Sequence, residues 1–139
     1  MKTEINFNNS SKMISSLRRN SEKLFPLSEY PTSRNARVWA SYSDEHCKSY
    51  TLVSYETFPA KYFDFFYRGG AELDIQIAPR DLTASTRRHI YAFIRQFVPA
   101  KQAQAIINTA RKTFTLPPMS KDEYSNEPIY EMQFEVYPE

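Results

Sequence analysis

From Ala71 to Ile77 the chain alternates without a break: Ala71, Leu73, Ile75 and Ile77 are apolar, while Glu72, Asp74 and Gln76 are polar. Successive side chains of a strand point to opposite faces, so this segment is a strand with one face in a core and the other in water. The pattern returns near the end, where Tyr130, Met132, Phe134 and Val136 alternate with Glu131, Gln133 and Glu135. Half-buried strands of this kind belong to antiparallel sheets with one covered face. Further strands are expected over Ala36–Ser43, Tyr50–Thr57 and the aromatic run Ala60–Tyr67. The polar group Ser43 to His46 supplies one turn. Arg68-Gly69-Gly70 supplies another, because glycine accepts the positive φ of a hairpin. Pro59 marks an edge or a bend, since it cannot donate to a ladder.

The cover for such a sheet follows at once. Asp81 or Thr83 can cap a helix reaching Phe97, with Ile90, Phe93, Ile94 and Phe97 on one face. Pro99 suits the first turn of a second helix, Ala100–Ala110, which carries Ala103, Ile106 and Ile107. An earlier helix is expected over Asn9–Phe25 from Met13, Ile14, Leu17, Leu24 and Phe25, capped at Ser10 or Ser11 and ended by Pro26. Pro26–Asn35 reads as a loop. Residues 1–9 read as flexible, and 117–128 as an acidic linker to the terminal strand. The expected fold is one α+β domain over 1–139. Its antiparallel sheet has about four to five strands, with an N-terminal helix and two consecutive helices packed on one face.

Composition narrows the function. A chain of 139 residues has room for one core. Its two glycines are adjacent, which argues against a phosphate-cradling loop. The single cysteine, Cys47, excludes an internal disulfide framework and favours a reducing cytosol. Met1–Ser11 lacks the apolar stretch of a signal peptide, and no run approaches the ~18 apolar residues of a membrane span. A soluble, cytoplasmic protein is expected, with no membrane partner.

Catalytic chemistry finds little support. Asp44-Glu45-His46-Cys47 is the one metal-like cluster, yet four consecutive turn residues cannot converge on an ion. Cys47 and His46 would point to opposite faces of a strand. His89 is remote in sequence, no Gly-x-Ser-x-Gly elbow is present, and the carboxylates are scattered. No catalytic residue, metal or cofactor is expected, and binding is the favoured class of function; a cryptic enzyme, recognisable as a pocket with convergent polar groups, is the third option after the two binding readings.

Charge is segregated along the chain. Residues 80–112 hold seven Lys/Arg against one Asp/Glu, and residues 113–139 hold one against six. Two candidate surfaces follow. Arg87, Arg88, Arg95 and Lys101 form a basic helical face that can meet phosphates, extended by Arg80, Arg111 and Lys112. Asp122, Glu123, Glu127, Glu131 and Glu135 form an acidic tail that can meet a basic protein surface. The plainer reading, which charge runs usually bear out, is that the blocks pair with one another or form solvated faces. The aromatic strand Tyr62, Phe63, Phe65 and Phe66 reads as core, as a base-stacking platform, or as an interface between copies.

Two short stretches carry a resemblance. Leu52 to Asp64, containing Ser54-Tyr55-Glu56-Thr57, resembles the strand pattern S-Y-x-T-x-V-A of small accessory proteins from phages and mobile elements of Gram-positive bacteria. Pro59 stands where that pattern has an aliphatic residue. Thr86 to Phe97, containing His89-Ile90, is similar to their later T-T-x-x-H-I-x-x-F-L helix. The resemblance implies a small antiparallel sheet followed by a helix, and a phage or mobile-element origin. It also implies a protein that binds host defence machinery in a bacterial cytoplasm, with an anti-CRISPR-type inhibitor of an effector nuclease as its sharpest form. Thr86 and His89 then read as structural, one in the first helical turn and one beside the sheet. The alternative is a small nucleic-acid-binding accessory protein acting through helix 83–97.

Overall fold

In a computed structural model of the chain, which describes residues 24–44, 47–65 and 69–138, seven antiparallel strands form one sheet beneath two helices. The strands are β1 (Leu24–Pro26), β2 (Ala36–Asp44), β3 (Cys47–Ser54), β4 (Thr57–Phe65), β5 (Gly70–Ile77), β6 (Ser120–Lys121) and β7 (Pro128–Val136), and they lie in the order β1-β2-β3-β4-β5-β7-β6. The helices are α1 (Ala84–Phe97) and α2 (Ala100–Phe114), preceded by a 3-10 turn at Pro79–Asp81. Strands β2 to β5 are a meander of consecutive hairpins. The helices are inserted between β5 and β7, so the chain crosses one face before β7 pairs with β5.

The alternation fixes which side chains the helices cover. Val38, Leu52, Ala60 and Ile75 form one cross-strand row, and all are buried with Leu73, Ile77, Ile90, Phe93, Ile94 and Ile107 in a single cluster. Helix α1 packs on β3 and β4, and α2 packs on β7. Thr83 starts α1 by accepting from the Thr86 N–H at 3.1 Å, which satisfies one of the first-turn donors. Pro99 precedes α2 and bars the first helix from continuing. No helix among the described residues is long and apolar enough to cross a membrane.

Several expectations change. The sheet has seven strands rather than four or five. Leu24 and Phe25, expected as the end of a helix, belong to the edge strand β1, where Leu24 pairs with Trp39. The rest of that expected helix, and the flexible start at 1–9, lie outside the described residues. The expected linker 117–128 contains β6, a two-residue strand on the edge of β7. Helix α2 runs one turn beyond Ala110, because Phe114 is buried against Tyr130 and holds the last turn. Of the two readings of Pro59, the structure favours the bend: it lies within β4 beside a register irregularity. It is tolerated there because the β3–β4 register shifts between Leu52 and Ser54, and the β4–β5 ladder extends only from Ala60 onward.

The face away from the helices divides into two halves. On β2, β3 and β4 it is closed, since Trp39, Ser49, Thr51, Val53 and Lys61 are all buried. On β5 and β7 it is open and acidic.

Candidate functional site

The open half is built by the pairing of β5 with β7. Alternation puts Glu72, Asp74 and Gln76 on the face opposite Leu73 and Ile75. The register sets Glu72 beside Glu135, Asp74 beside Gln133 and Gln76 beside Glu131. Carboxylates directly opposed on one face repel, so this arrangement costs the fold stability. Asp74 bears most of it. Burial, the charge and hydrogen bonding of Glu72, and the charge of Glu131 push its carboxyl up to about 7, with Lys61 acting in the opposite direction. Its Oδ1 is buried and accepts no hydrogen bond. A depression of about 570 Å³ runs alongside, lined by Asp74, Gln76, Glu123, Glu131 and Gln133 among others.

The consequence for stability has a definite sign. Below about pH 4 Asp74 is protonated in the folded and unfolded chains alike, and contributes nothing. Between about 4 and 7 the fold holds a proton that the unfolded chain releases, so stability falls as pH rises. Above about 7 the penalty is complete. A shift of this size in a dry site is worth about 4 kcal/mol, but the side chain is only partly buried, and screening by water brings the cost to on the order of 1–2 kcal/mol. Asp74→Asn should therefore stabilise the protein by that amount at about pH 8 and hardly at all at about pH 4, as read by urea unfolding.

The structure separates the residues of the expected acidic tail. Glu131 and Glu135 are exposed on β7, and Glu123 lies at the rim of the same depression. Glu127 is turned elsewhere, bonded to Arg80 at 3.0 Å. Asp122 shapes the β6–β7 turn, accepting from the Tyr124 N–H at 2.8 Å. Glu72 and Asp74 belong to the acidic face and were absent from the sequence expectation. Their polar alternation was visible; what it lacked was the partner strand, whose Glu135 and Gln133 lie about 60 residues further along the chain.

The basic candidates all lie on the helical layer, on the other side of the sheet. Arg87, Arg88 and Lys101 are exposed. Arg95 is engaged, with its Nε and Nη2 donating to Glu29 at 2.8 and 2.9 Å, and this pair lowers the Glu29 carboxyl. Arg111 lies 5.1 Å over the Tyr91 ring. Helices α1 and α2 together carry six basic residues and no acidic one. Among the described residues, the helices are thus basic and the β5–β7 face acidic.

A third cluster joins the two stretches that carried the resemblance. Ser54 ends β3, and its Oγ lies 2.9 Å from His89 Nδ1 and 3.0 Å from Thr86 Oγ1 on α1. Tyr30 meets the His89 ring edge-on at 5.0 Å, and Tyr55 stacks on it at 5.8 Å. Tyr55 takes a positive φ of 53° to make the tight β3–β4 turn. Burial first, and then the neighbouring Arg88, hold the His89 imidazole below its usual value, so it stays neutral near pH 7. A groove of about 870 Å³ opens at the cluster, lined by Ser54 and Thr86 together with Tyr55, Glu56, Arg80 and Asp81.

A serine bonded to a histidine is the first requirement of a nucleophile. The other requirements are not met. Although it borders the groove, Ser54 is 0% exposed, so its oxygen presents no surface to a substrate there. Its oxygen is held by two partners, and none of the described carboxylates bonds to His89 to orient it. The trio acts as a buried clasp between sheet and helix. Among the described residues no group of His, Cys, Asp and Glu could hold a metal ion. In comparison with known proteins, no protein-family model, no curated protein and no solved structure matches this chain.

Proposed function

We propose that this chain is a binding protein whose acidic β5–β7 face docks on a positively charged surface of a partner protein. The observation that carries this reading is the gathering of Glu72, Asp74, Glu131 and Glu135 on one open face, with Glu72 directly opposite Glu135 and the Asp74 carboxyl pushed up to about 7. An arrangement that costs folding stability is retained where it serves a function, and a basic partner would convert its repulsion into attraction. On β7, Glu131 and Glu135 stand about 13 Å apart with Gln133 between them, and Glu72 and Asp74 add negative charge alongside on β5, so the face offers spread negative charge to a groove made for a phosphate backbone.

The resemblance to phage and mobile-element accessory proteins supplies the specific form: an inhibitor that occupies the nucleic-acid channel of a host defence nuclease, of the anti-CRISPR type, in a bacterial cytoplasm. Purified protein added to a panel of RNA-guided effector nucleases should block DNA binding by at least one of them, with inhibition weakening as salt rises. If no member of the panel is bound or inhibited, this form of the proposal is lost.

A second reading rests on the helical layer, where six cations stand without a carboxylate on either helix. There the chain would bind nucleic acid itself. Replacing Arg87, Arg88 and Lys101 by Glu should then lower affinity for a DNA duplex across all sequences. The salt slope should fall by about one for each phosphate contact removed. An unchanged mobility shift with this variant would leave the second reading without support.

A further inference from the structure

The acidic face ends at an edge of the sheet that is nearly bare of partners. Strand β7 is paired along one side with β5, from Tyr130 to Val136. On its other side, among the described residues, it meets β6 alone, where Ser120 lies opposite Ile129 and Lys121 opposite Pro128. Beyond Ile129 the edge continues without a partner strand. The chain cannot cover it from β6, because Pro117 and Pro118 have no N–H to give to a ladder. The Tyr130 hydroxyl also holds the Leu116 carbonyl at 2.7 Å, back toward the end of α2. Which backbone groups are free follows from the β6–β7 turn. There the Asp122 N–H donates to the Glu127 carbonyl at 2.8 Å. Groups that face a neighbour alternate along an antiparallel strand, so Ile129 turns its N–H and C=O toward β6. By the same alternation Glu131, Gln133 and Glu135 turn theirs to the open edge. Such a row is a template for another strand.

We infer that this edge takes an extended segment of the partner protein as an added antiparallel strand, one with basic and apolar side chains in alternation. This mode of docking rests on the acidic-face reading above and specifies what the partner must offer. The two sides of the edge set the alternation. On the acidic face the added strand places every second side chain beside Glu131, Gln133 and Glu135, all of which are exposed. Lys or Arg at those positions meets carboxylate. On the helical side the intervening side chains lie beside Met132 and Phe134, which are only partly buried at the margin of the core. Val, Ile or Leu there extends the core by one row. Lys121, the cation of β6, is opposite Pro128, before the free stretch begins. The same carboxylates select against a second copy of this chain. Two β7 edges meeting antiparallel about Gln133 would set Glu131 of each copy against Glu135 of the other, and like charges so placed repel. A basic strand finds attraction at the same positions.

The probe is the peptide Lys-Val-Lys-Val-Lys-Val-Lys, titrated onto the full-length protein at low salt beside a peptide of the same composition with its lysines and valines in blocks. Their charge is equal, so only the alternation separates them. The alternating peptide should bind at least about tenfold more tightly. N-methylation of its lysine amides, which face β7, should remove that advantage, whereas N-methylation of its valine amides, which face away, should leave it. In the protein, Gln133→Pro deletes one edge N–H on the side that β5 does not use, and should weaken the alternating peptide severalfold. If that variant does not fold, the wild type still reports: exchange of the Glu131, Gln133 and Glu135 amides with solvent should slow when the peptide is bound. Equal binding of the two peptides, lost for both in the Glu72→Lys/Glu131→Lys/Glu135→Lys variant, would overturn strand addition and leave the acidic face as the docking surface. Binding of neither peptide would count against both. A wild-type dimer that the alternating peptide dissociates would assign the edge to a second copy and overturn the inference.

Discussion

Ser54→Ala should lower the stability of the protein by about 2–4 kcal/mol, a large loss for the removal of one oxygen atom. The size follows from what is left behind. Thr86 Oγ1 and His89 Nδ1 both depend on Ser54 Oγ, at 3.0 and 2.9 Å. Each would be left buried and unpaired, at about 1–3 kcal/mol apiece. Thr86→Val should cost less, because Ser54 would still hold His89, and a double-mutant cycle between positions 54 and 86 should show strong non-additivity. Urea unfolding with an unchanged m-value measures the loss. A cost below about 0.5 kcal/mol would show that the clasp holds nothing. The wild type should also weaken as pH falls below about 6.5. There the unfolded chain protonates His89, while the fold, where burial and Arg88 keep the imidazole neutral, does not until lower pH.

That clasp illustrates how much of the fold was legible in the residues. Patterns confined to one element survived: the alternation of β5 and β7, the Thr83 cap, the break at Pro99, and the buried side of α1. Thr86 and His89 were readable as structural residues of a helix. Their partner was not, because Ser54 lies 32 and 35 residues away and no local period marks the contact. The same limit explains the edges of the sheet. Strands β1 and β6 are three and two residues long, with no alternation to read, and exist only because β2 and β7 offer them free backbone groups. For the candidate site, charge blocks along the chain located Glu131 and Glu135 but grouped them with Glu127, which Arg80 takes up. The face is a property of register between strands, and so Glu72 and Asp74 emerged only with the β5–β7 pairing.

Reversing the acidic face should have the largest effect on binding. The variant Glu72→Lys/Glu131→Lys/Glu135→Lys places positive charge where the partner's own positive surface must approach. At low salt each reversal exchanges an attraction for a repulsion, and three together should weaken association by at least about a hundredfold. Folding should not suffer. The three residues are not part of the core, and removing the repulsion around Asp74 should leave the variant as stable as the wild type or more so. Loss of binding with stability retained is what distinguishes a contact surface from a structural one.

The most direct test of the account is co-elution of the full-length protein with effector nucleases at low salt, comparing wild type, the Glu72/Glu131/Glu135 reversal and the Arg87/Arg88/Lys101 reversal. The wild type and the helical-layer variant should form the complex, and the sheet-face variant should not. Co-elution of the sheet-face variant at wild-type strength, or a complex lost only with the helical arginines, would contradict it.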